Sequence, residues 1–269
     1  IGAAAAGRVG HQLFGWAVAM RFVKMQGLGN DFVVVDGPVD LNPEQISWWC
    51  DRRHGVGADG VLEVTPVDES RVRMRYWNAD GGAAEMCGNG LRCVARYATD
   101  RRLVSKESFV VETEIGPRPV VVNASGTVRA LLGTPRAGQP VTVEDVDLFT
   151  VDMGNPHAIQ WVVDTATAEV PTVGPRIECA EPFQGGTNVE FAQITGPDEI
   201  DLRVWERGVG ETLACGTGAA ATAFLAHEQG KVGSAVTIRL LGGPLRVELH
   251  DDGAWIEGPA ETVFSGEIY

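Results

Sequence analysis

The chain has 269 residues, of which 44% are hydrophobic and 22% are charged, a composition typical of a soluble globular protein with one large or two ordinary domains. Its net charge of −14 argues against nucleic acid and anionic membranes as main partners, and the sequence contains no run of 18 apolar residues. Five cysteines, an odd number, do not suit a secreted disulfide framework, so we expect the reducing environment of the cytoplasm.

Residues 1–19 contain neither an initiator methionine nor a basic signal-peptide region, and their apolar stretch is marginal for a signal peptide. The sequence M-R-F-V-K-M, which begins at Met20, has the form of a natural start. We therefore interpret residues 1–19 as an artificial leader or an upstream mis-start and leave them out of the fold prediction.

The first half, residues 20–132, predicts a strand-rich domain. Turn signals and alternating apolar residues predict strands within 21–35, 61–65, 72–77, 104–122 and 127–132. Asn42 followed by Pro43 predicts the beginning of a first helix. The apolar residues after Cys87 recur at helical spacing, so a longer helix is predicted to begin there.

The second half, residues 133–257, repeats this plan. Strands are predicted within 148–153, 158–163, 189–194, 201–205, 236–241, 245–249 and 254–257. An Ala-rich helix, 218–226, follows Cys215. We predict a linker at 133–140, and we expect the last strand, within 258–269, to pack back onto the first half. With about one long helix per half packed on its own sheet, the fold class is α+β.

One stretch occurs twice and organises both halves. The first copy, R-Y-W-N-A-D-G-G-A-A-E-M-C-G-N-G, ends at Gly90, and the second, R-V-W-E-R-G-V-G-E-T-L-A-C-G-T-G, ends at Gly218. The copies are offset by 128 residues without a gap, and a Gly-Asn pair repeats at 29–30 and 154–155. We infer a duplicated domain whose two Cys-Gly-x-Gly turns bring Cys87 and Cys215 to one cleft.

A cysteine at the start of a helix is suited to proton transfer. The thiolate is the basic form, and the positive end of the helix is expected to lower the pKa of the thiol by about 0.2–1.5, toward physiological pH. Glycines at 88, 90, 216 and 218 let a ligand approach the backbone, and the free N–H groups of the helix would bind a carboxylate.

Two such units on opposite sides of one carbon predict a 1,1-proton transfer that needs neither a cofactor nor a metal. One thiolate removes the Cα proton and the opposite thiol delivers a proton to the other face, so the configuration inverts. Because a Cα–H group is far less acidic than a thiol, the N–H groups must stabilise the charge that builds on the carboxylate. One preorganised donor of this kind contributes about 2.7–4 kcal/mol.

Other interpretations of these motifs stay open. Cys87 and Cys215 would also suit a thiol redox or binding protein in which they form a regulatory disulfide. The spacing from Cys87 to Cys93, without histidine partners, does not match the usual zinc patterns, and neither G-L-G-N nor G-V-G-A-D-G matches a P-loop. We interpret Cys50, Cys93 and Cys179 as core or inert thiols.

From about Met20 to its end, the sequence resembles the diaminopimelate epimerase family in the motifs G-L-G-N-D-F, N-A-D-G, M-C-G-N-G, M-G-N-P-H, W-E-R-G-V-G-E-T and A-C-G-T-G. The resemblance implies two pseudo-symmetric domains, each a mostly antiparallel sheet wrapped around a central helix, with the active site between them. It also implies PLP-independent interconversion of LL- and meso-diaminopimelate in lysine and peptidoglycan precursor biosynthesis. The partner is then a small-molecule substrate, without nucleic acid or membrane, and a homodimer is the assembly to test.

The same resemblance implies roles for individual residues. Cys87 and Cys215 match the two proton carriers. The other catalytic and substrate-binding positions that it implies are His157, Glu206, Arg207, Gly88, Asn89, Gly216, Thr217, Asn30, Asn78, Asn155 and Asn188. Some members of the family place a glutamine against the substrate where this chain has Gly60, so that contact is lost or supplied otherwise.

These residue types suit a substrate with two amino-acid heads. Arg207 can bind a distal carboxylate bidentately, Glu206 can accept from an ammonium group, and the asparagines supply paired donors and acceptors. Taken singly, an asparagine before Gly or Pro is often only a turn former. The alternative enzyme is a proline racemase-like or hydroxyproline epimerase-like protein. Such enzymes typically carry His after the first Cys-Gly, where this chain has Asn89, and Glu206 with Arg207 favours a second polar head.

Overall fold

A computed structural model describes residues 19–84 and 86–268. The interpretation of residues 1–19 as a leader therefore concerns positions that, apart from residue 19, lie outside the described residues. Across the described ranges, no helix is both long enough and apolar enough to cross a membrane.

The first half is a twisted sheet around one buried helix, as predicted. Its elements are β1 (Met20–Gly27), β2 (Asn30–Asp36), α1 (Pro43–Cys50), β3 (Gly60–Asp68), β4 (Arg71–Asn78), β5 (Ala83–Ala84), α2 (Gly88–Asp100), β6 (Ser108–Thr113), β7 (Gly116–Val122) and β8 (Val128–Gly133). Helix α1 begins at Pro43 because Asn42 accepts a hydrogen bond from the Gln45 N–H while the Gln45 side chain accepts one from the Asn42 N–H.

The second half has the same plan. Its elements are β9 (Arg136–Ala137), β10 (Val141–Val143), β11 (Val146–Asp152), β12 (Pro156–Trp161), α3 (Val170–Glu178), β13 (Asn188–Gly196), β14 (Glu199–Glu206), β15 (Gly210–Thr212), α4 (Gly216–Glu228), β16 (Ala235–Leu240), β17 (Gly243–His250), β18 (Gly253–Gly258) and β19 (Glu261–Ile268). Sequence analysis missed α3, because Pro171, Gly174 and Pro175 normally disfavour a helix.

The strand pairing repeats between the halves. Strands β2 and β3 pair in parallel with Phe32 opposite Gly60, and β12 and β13 pair in parallel with His157 opposite Asn188. In both halves most of the remaining pairs are antiparallel. The predicted duplication is thus present in the register of the sheets as well as in the sequence.

Helices α2 and α4 form the centres of the two halves. Nearly every residue of α2 from Gly88 to Ala98 is buried, and so is nearly every residue of α4 from Gly216 to Ala226. A helix that is buried on all sides lies within the core and not on its surface. The sheets therefore wrap around these two helices, which confirms the predicted fold class.

Two antiparallel pairings join the halves. Strand β18 pairs with β8, and β19 pairs with β1. The predicted linker at 133–140 contains β9, which pairs with β11. The division of the chain at residue 133 stays a prediction.

Helix α3 packs very closely against β14. A Cβ atom on Gly174 would lie 2.5 Å from Cγ of Trp205, and the Trp205 indole N–H donates to Glu178 at 2.7 Å. The other Glu178 oxygen accepts from the Gly208 N–H at 2.7 Å. This contact holds the end of β14, which carries two of the predicted site residues.

We predict that Gly174→Ala lowers the free energy of unfolding by about 1–3 kcal/mol, because the added methyl group overlaps the Trp205 ring. The measurement is denaturant unfolding. Gly233→Ala is the matched control, since a Cβ there would lie 3.5 Å from its nearest contact, Oδ1 of Asp198. Equal stability of the two variants would show that α3 does not pack in this way.

Candidate active site

Cys87 and Cys215 each cap the beginning of a central helix. The Cys87 sulfur accepts a hydrogen bond from the Gly90 N–H at 3.5 Å, and the Cys215 sulfur accepts one from the Gly218 N–H at 3.4 Å. Both cysteines have extended backbone angles, as helix caps do. The sequence prediction that each cysteine immediately precedes a helix is confirmed.

The N-termini of α2 and α4 meet at two glycines. A Cβ on Gly216 would lie 3.5 Å from Cα of Gly88, and one on Gly88 would lie 3.6 Å from Cα of Gly216. The Ile256 side chain packs beside both glycines, at 3.3–3.4 Å from the same Cβ positions. The two capping thiols therefore belong to one region between the halves, where free N–H groups of both helices gather.

Burial raises the pKa of both thiols, contrary to the expectation from the helix ends. Burial raises the pKa of Cys87 from its ordinary value of 9.0 to about 11, although the Gly90 N–H opposes the rise. Burial likewise raises the pKa of Cys215 well above its ordinary value. The loss of water around a buried anion outweighs the stabilisation from the helix dipole.

The carboxylate of Glu206 lies within electrostatic range of both thiols. It accepts a hydrogen bond from the Thr212 hydroxyl at 2.5 Å and another from the Cys215 thiol. Burial raises the pKa of Glu206, and its charge in turn raises the pKa of Cys87 and of Cys215. A group in this position can receive a proton or an ammonium hydrogen bond beside the thiols.

Asn30 and Asn89 lie on the Cys87 side. The Asn30 side-chain oxygen accepts from the Cys87 thiol at 3.4 Å and from the Asn89 amide at 3.2 Å. The Asn89 amide also donates to the Ala214 carbonyl of the other half at 3.0 Å, and its oxygen accepts from Arg92 at 2.9 Å. Asn89 thus fastens the two halves together just beneath the thiols.

Asn155, His157 and Thr217 form a hydrogen-bonded chain on the Cys215 side. The Cys215 sulfur lies 3.5 Å from the Thr217 hydroxyl, to which the Asn155 amide donates at 3.4 Å. The Asn155 oxygen lies 3.1 Å from Nε2 of His157, whose Nδ1 lies 2.6 Å from Glu190. The histidine is therefore held at both ring nitrogens.

Asn188 and Arg207 meet at the end of β14. The Asn188 oxygen accepts from the Arg207 backbone N–H at 3.0 Å, while its amide donates to the Pro156 carbonyl at 2.9 Å. The Arg207 guanidinium is exposed and makes a long hydrogen bond of 3.4 Å to the Gly185 carbonyl. It is free to bind a carboxylate that reaches this edge of the site.

Asn78 and Gly60 are neighbours across β3 and β4. Asn78 is exposed, and its backbone closes the turn through hydrogen bonds with Gly81 and Gly82. A Cβ on Gly60 would lie 2.4 Å from the Trp77 carbonyl oxygen, so this backbone path excludes a side chain. The residue at the corresponding place in the second half is Asn188, which does carry an amide.

Sequence analysis did not identify Glu190 or Arg92, both of which are fully buried beside the site. Their signal was present in the repeat, because neither charge has a charged counterpart at the offset of 128 residues. Of the remaining cysteines, Cys50 and Cys93 lie in the core, as predicted, whereas Cys179 is exposed.

Comparison with known proteins identifies the family. Residues 22–137 and 149–263 match the model of the diaminopimelate epimerase family in two segments. The chain belongs to this family. The two matched segments follow the same division into halves as the sequence repeat and the register of the sheets.

One relative within this family is the diaminopimelate epimerase of Alkalilimnicola ehrlichii, which is 45% identical over 93% of this chain and 98% of its own length. Among solved structures, a phenazine biosynthesis protein of the PhzF family from Bacillus anthracis has a TM-score of 0.74 at 16% identity, over 94% of this chain and 99% of that one. A probable proline racemase from Agrobacterium radiobacter has a TM-score of 0.70 at 16% identity, over 93% of each chain. At such identities the two structures show a shared fold.

We predict that Asn89→Ala lowers the free energy of unfolding by about 2–3 kcal/mol, because it removes the link to Ala214 and a partner of the buried Arg92. Denaturant unfolding measures this loss. Asn78→Ala is the control: that side chain is exposed, so stability should change by less than about 0.5 kcal/mol. Similar losses in both variants would contradict the bridging role of Asn89.

Proposed function

We propose that this member of the diaminopimelate epimerase family interconverts LL- and meso-diaminopimelate without PLP, with Cys87 and Cys215 as its two bases. The observation that carries the proposal is the meeting of two buried helix N-termini, each capped by a cysteine. The match of both halves to the family supports the substrate.

In the proposed reaction, the thiolate on one side takes the Cα proton and becomes a thiol. The electron pair left on Cα is delocalised into the neighbouring carboxylate, which accepts hydrogen bonds from N–H groups of the two helices. The thiol on the other side then gives its proton to the opposite face of Cα and becomes a thiolate. One C–H bond breaks and another forms, so the configuration inverts and no atom is lost.

The remaining predicted residues are proposed to bind the two heads of the substrate. Gly88, Asn89, Gly216 and Thr217 belong to the turns that would hold the reacting carboxylate. His157 and Glu206 lie within the hydrogen-bond network beside Cys215, where they would orient the reacting head. The exposed guanidinium of Arg207 would hold the distal carboxylate, and the four asparagines Asn30, Asn78, Asn155 and Asn188 would complete the polar contacts.

The alternative is a racemase that acts on proline or hydroxyproline, and the shared fold with a probable proline racemase is the observation that favours it. Two features favour diaminopimelate. Asn89 spends its amide and its oxygen on contacts within the protein, and Arg207 with Glu206 provides for a second charged head that proline lacks.

Isotope exchange separates the two substrates. The purified protein is incubated in heavy water with LL-diaminopimelate or with L-proline, and deuterium at Cα is followed by NMR. We expect exchange and epimerisation of diaminopimelate and none of proline. Exchange with proline alone would overturn the substrate assignment.

We predict that Cys87→Ala and Cys215→Ala each lower the epimerisation rate by at least about a hundredfold, because each removes one of the two proton carriers. Cys179→Ala is the matched control, since this exposed cysteine lies outside the site and should leave the rate unchanged. Circular dichroism checks that all three variants fold. Full activity of either site variant would contradict the two-base mechanism.

The pKa of the thiols also predicts the pH dependence. Because burial raises the pKa of Cys87 to about 11, only a small part of the free protein carries a thiolate there at neutral pH. We therefore expect kcat/KM to rise between pH 6 and 9, with a logarithmic slope of about one. Initial rates in buffers of constant ionic strength measure it. A flat or falling profile in that range would be inconsistent with a thiolate base.

We further propose a place in the cytoplasm, where the thiols stay reduced, and a role in making lysine and peptidoglycan precursors. Oxidation to a Cys87–Cys215 disulfide would remove both proton carriers, so activity is expected to require a reductant. The homodimer stays a prediction, which light scattering of the purified protein would test.

A further inference from the structure

The repeat is unequal at the positions that surround the two thiols. Phe32 and Leu62 in the first half correspond to His157 and Glu190 in the second, at the offsets of 125 and 128 residues that align the two copies. The parallel pairing of their strands has the same register in both halves. A further pair on the central helices is Arg92 in α2 and Ala220 in α4. Each half therefore buries ionisable groups that its copy replaces with apolar ones.

Arg92 is a buried cation on the Cys87 side. Its side chain is fully buried and donates to the carbonyl oxygens of Gly88 and Pro259 and to the side-chain oxygen of Asn89. Within the described ranges, no carboxylate forms an ion pair with it. Because its neighbours are neutral, the positive charge of Arg92 acts on the adjacent Cys87.

Glu190 is a buried carboxylate on the Cys215 side. One oxygen lies 2.6 Å from Nδ1 of His157 and would also lie 2.6 Å from a Cβ on Gly218, the residue whose N–H binds the Cys215 sulfur. The other oxygen is buried and has no hydrogen-bond partner among the described residues. An acid with an unsatisfied oxygen therefore lies against the first turn of α4.

The charges shared by both thiols do not distinguish them. Glu206, on β14, raises the pKa of Cys87 and of Cys215 after burial has done so. Tyr76, on β4, is neutral at physiological pH because burial raises its pKa. The difference that remains is Arg92 on one side against Glu190, hydrogen-bonded to His157, on the other.

On the basis of the two-cysteine function proposed above, we infer that Arg92 and Glu190 are positioning residues that give the free enzyme one defined proton arrangement. Arg92 favours the thiolate at Cys87, and Glu190 favours the protonated thiol at Cys215. The resting enzyme then accepts the isomer whose Cα–H faces Cys87. After one turnover the arrangement is reversed, and the enzyme must exchange protons before it can accept that isomer again.

The direction of the pKa values agrees with this geometry. Burial raises the pKa of Cys87, and the charge of Arg92 lowers it again. Burial also raises the pKa of Cys215, and the charges of Glu206 and Glu190 raise it further. As the pH rises, Cys87 is therefore the first of the two to lose its proton.

The test is the pH dependence of alkylation by iodoacetamide, followed for each cysteine of the full chain by peptide mass spectrometry. In the wild-type protein, the midpoint for Cys87 should lie at a lower pH than the midpoint for Cys215. Arg92→Met should raise the Cys87 midpoint by about one pH unit, whereas Arg92→Lys, which keeps the charge, should restore it. Glu190→Gln, which keeps an acceptor for His157, should lower the Cys215 midpoint by about one pH unit and leave Cys87 unchanged.

The exposed Cys179 is an internal reference, and its profile should be the same in every variant. Thermal unfolding identifies any variant that has lost its fold, and Glu190→Leu, which copies Leu62 of the first half, provides a second test at this position. The inference is overturned if Cys215 ionises before Cys87, or if folded variants leave both midpoints in place. Because alkylation needs no substrate, this result is independent of whether diaminopimelate is epimerised.

Discussion

The contact between the N-termini of α2 and α4 is the constraint on which the rest of the structure depends. Gly88 and Gly216 allow the two helix ends to approach each other, and the sheets close around both helices. Two sets of free N–H groups then point toward one small region. A carboxylate is the ligand that such a region is built to hold, and a thiol stands at each side of it.

This arrangement carries an energetic cost at the thiols. A helix end stabilises an adjacent anion by about 0.3–2 kcal/mol, whereas the rise of the Cys87 pKa from 9.0 to about 11 corresponds to about 3 kcal/mol in the opposite direction. Desolvation therefore wins in the free protein. The same exclusion of water strengthens every hydrogen bond to a bound carboxylate, so the site loses thiolate but gains stabilisation of the charge that develops during the reaction.

The duplication preserved the backbone and varied the charges. Both halves retain the same strand register, the capping cysteine and the glycine turn, because these elements build the anion site. The side chains behind the turn are free to differ, and they do. The halves place Arg92 and Glu190 at positions without charged counterparts, which makes two geometrically equivalent thiols chemically unequal.

Much of this protein can be predicted from local patterns in its sequence. The spacing of apolar residues places Cys87 and Cys215 before helices, the Asn42 cap places α1, and the repeat predicts two similar halves, because each of these signals depends on residues near each other in the chain. Helix α3 escaped prediction because its stability comes from packing Gly174 against Trp205, and intrinsic propensity argues against it.

The state of the site is set by contacts between residues far apart in the chain. Asn89 joins Ala214 across 125 positions, and the burial of the thiols is the summed effect of two sheets closing on two helices. Local sequence indicated that the helix ends would lower the thiol pKa, and only the folded structure shows that burial raises it. Loss of water depends on every neighbour in space, whereas a helix dipole depends only on the residues that follow.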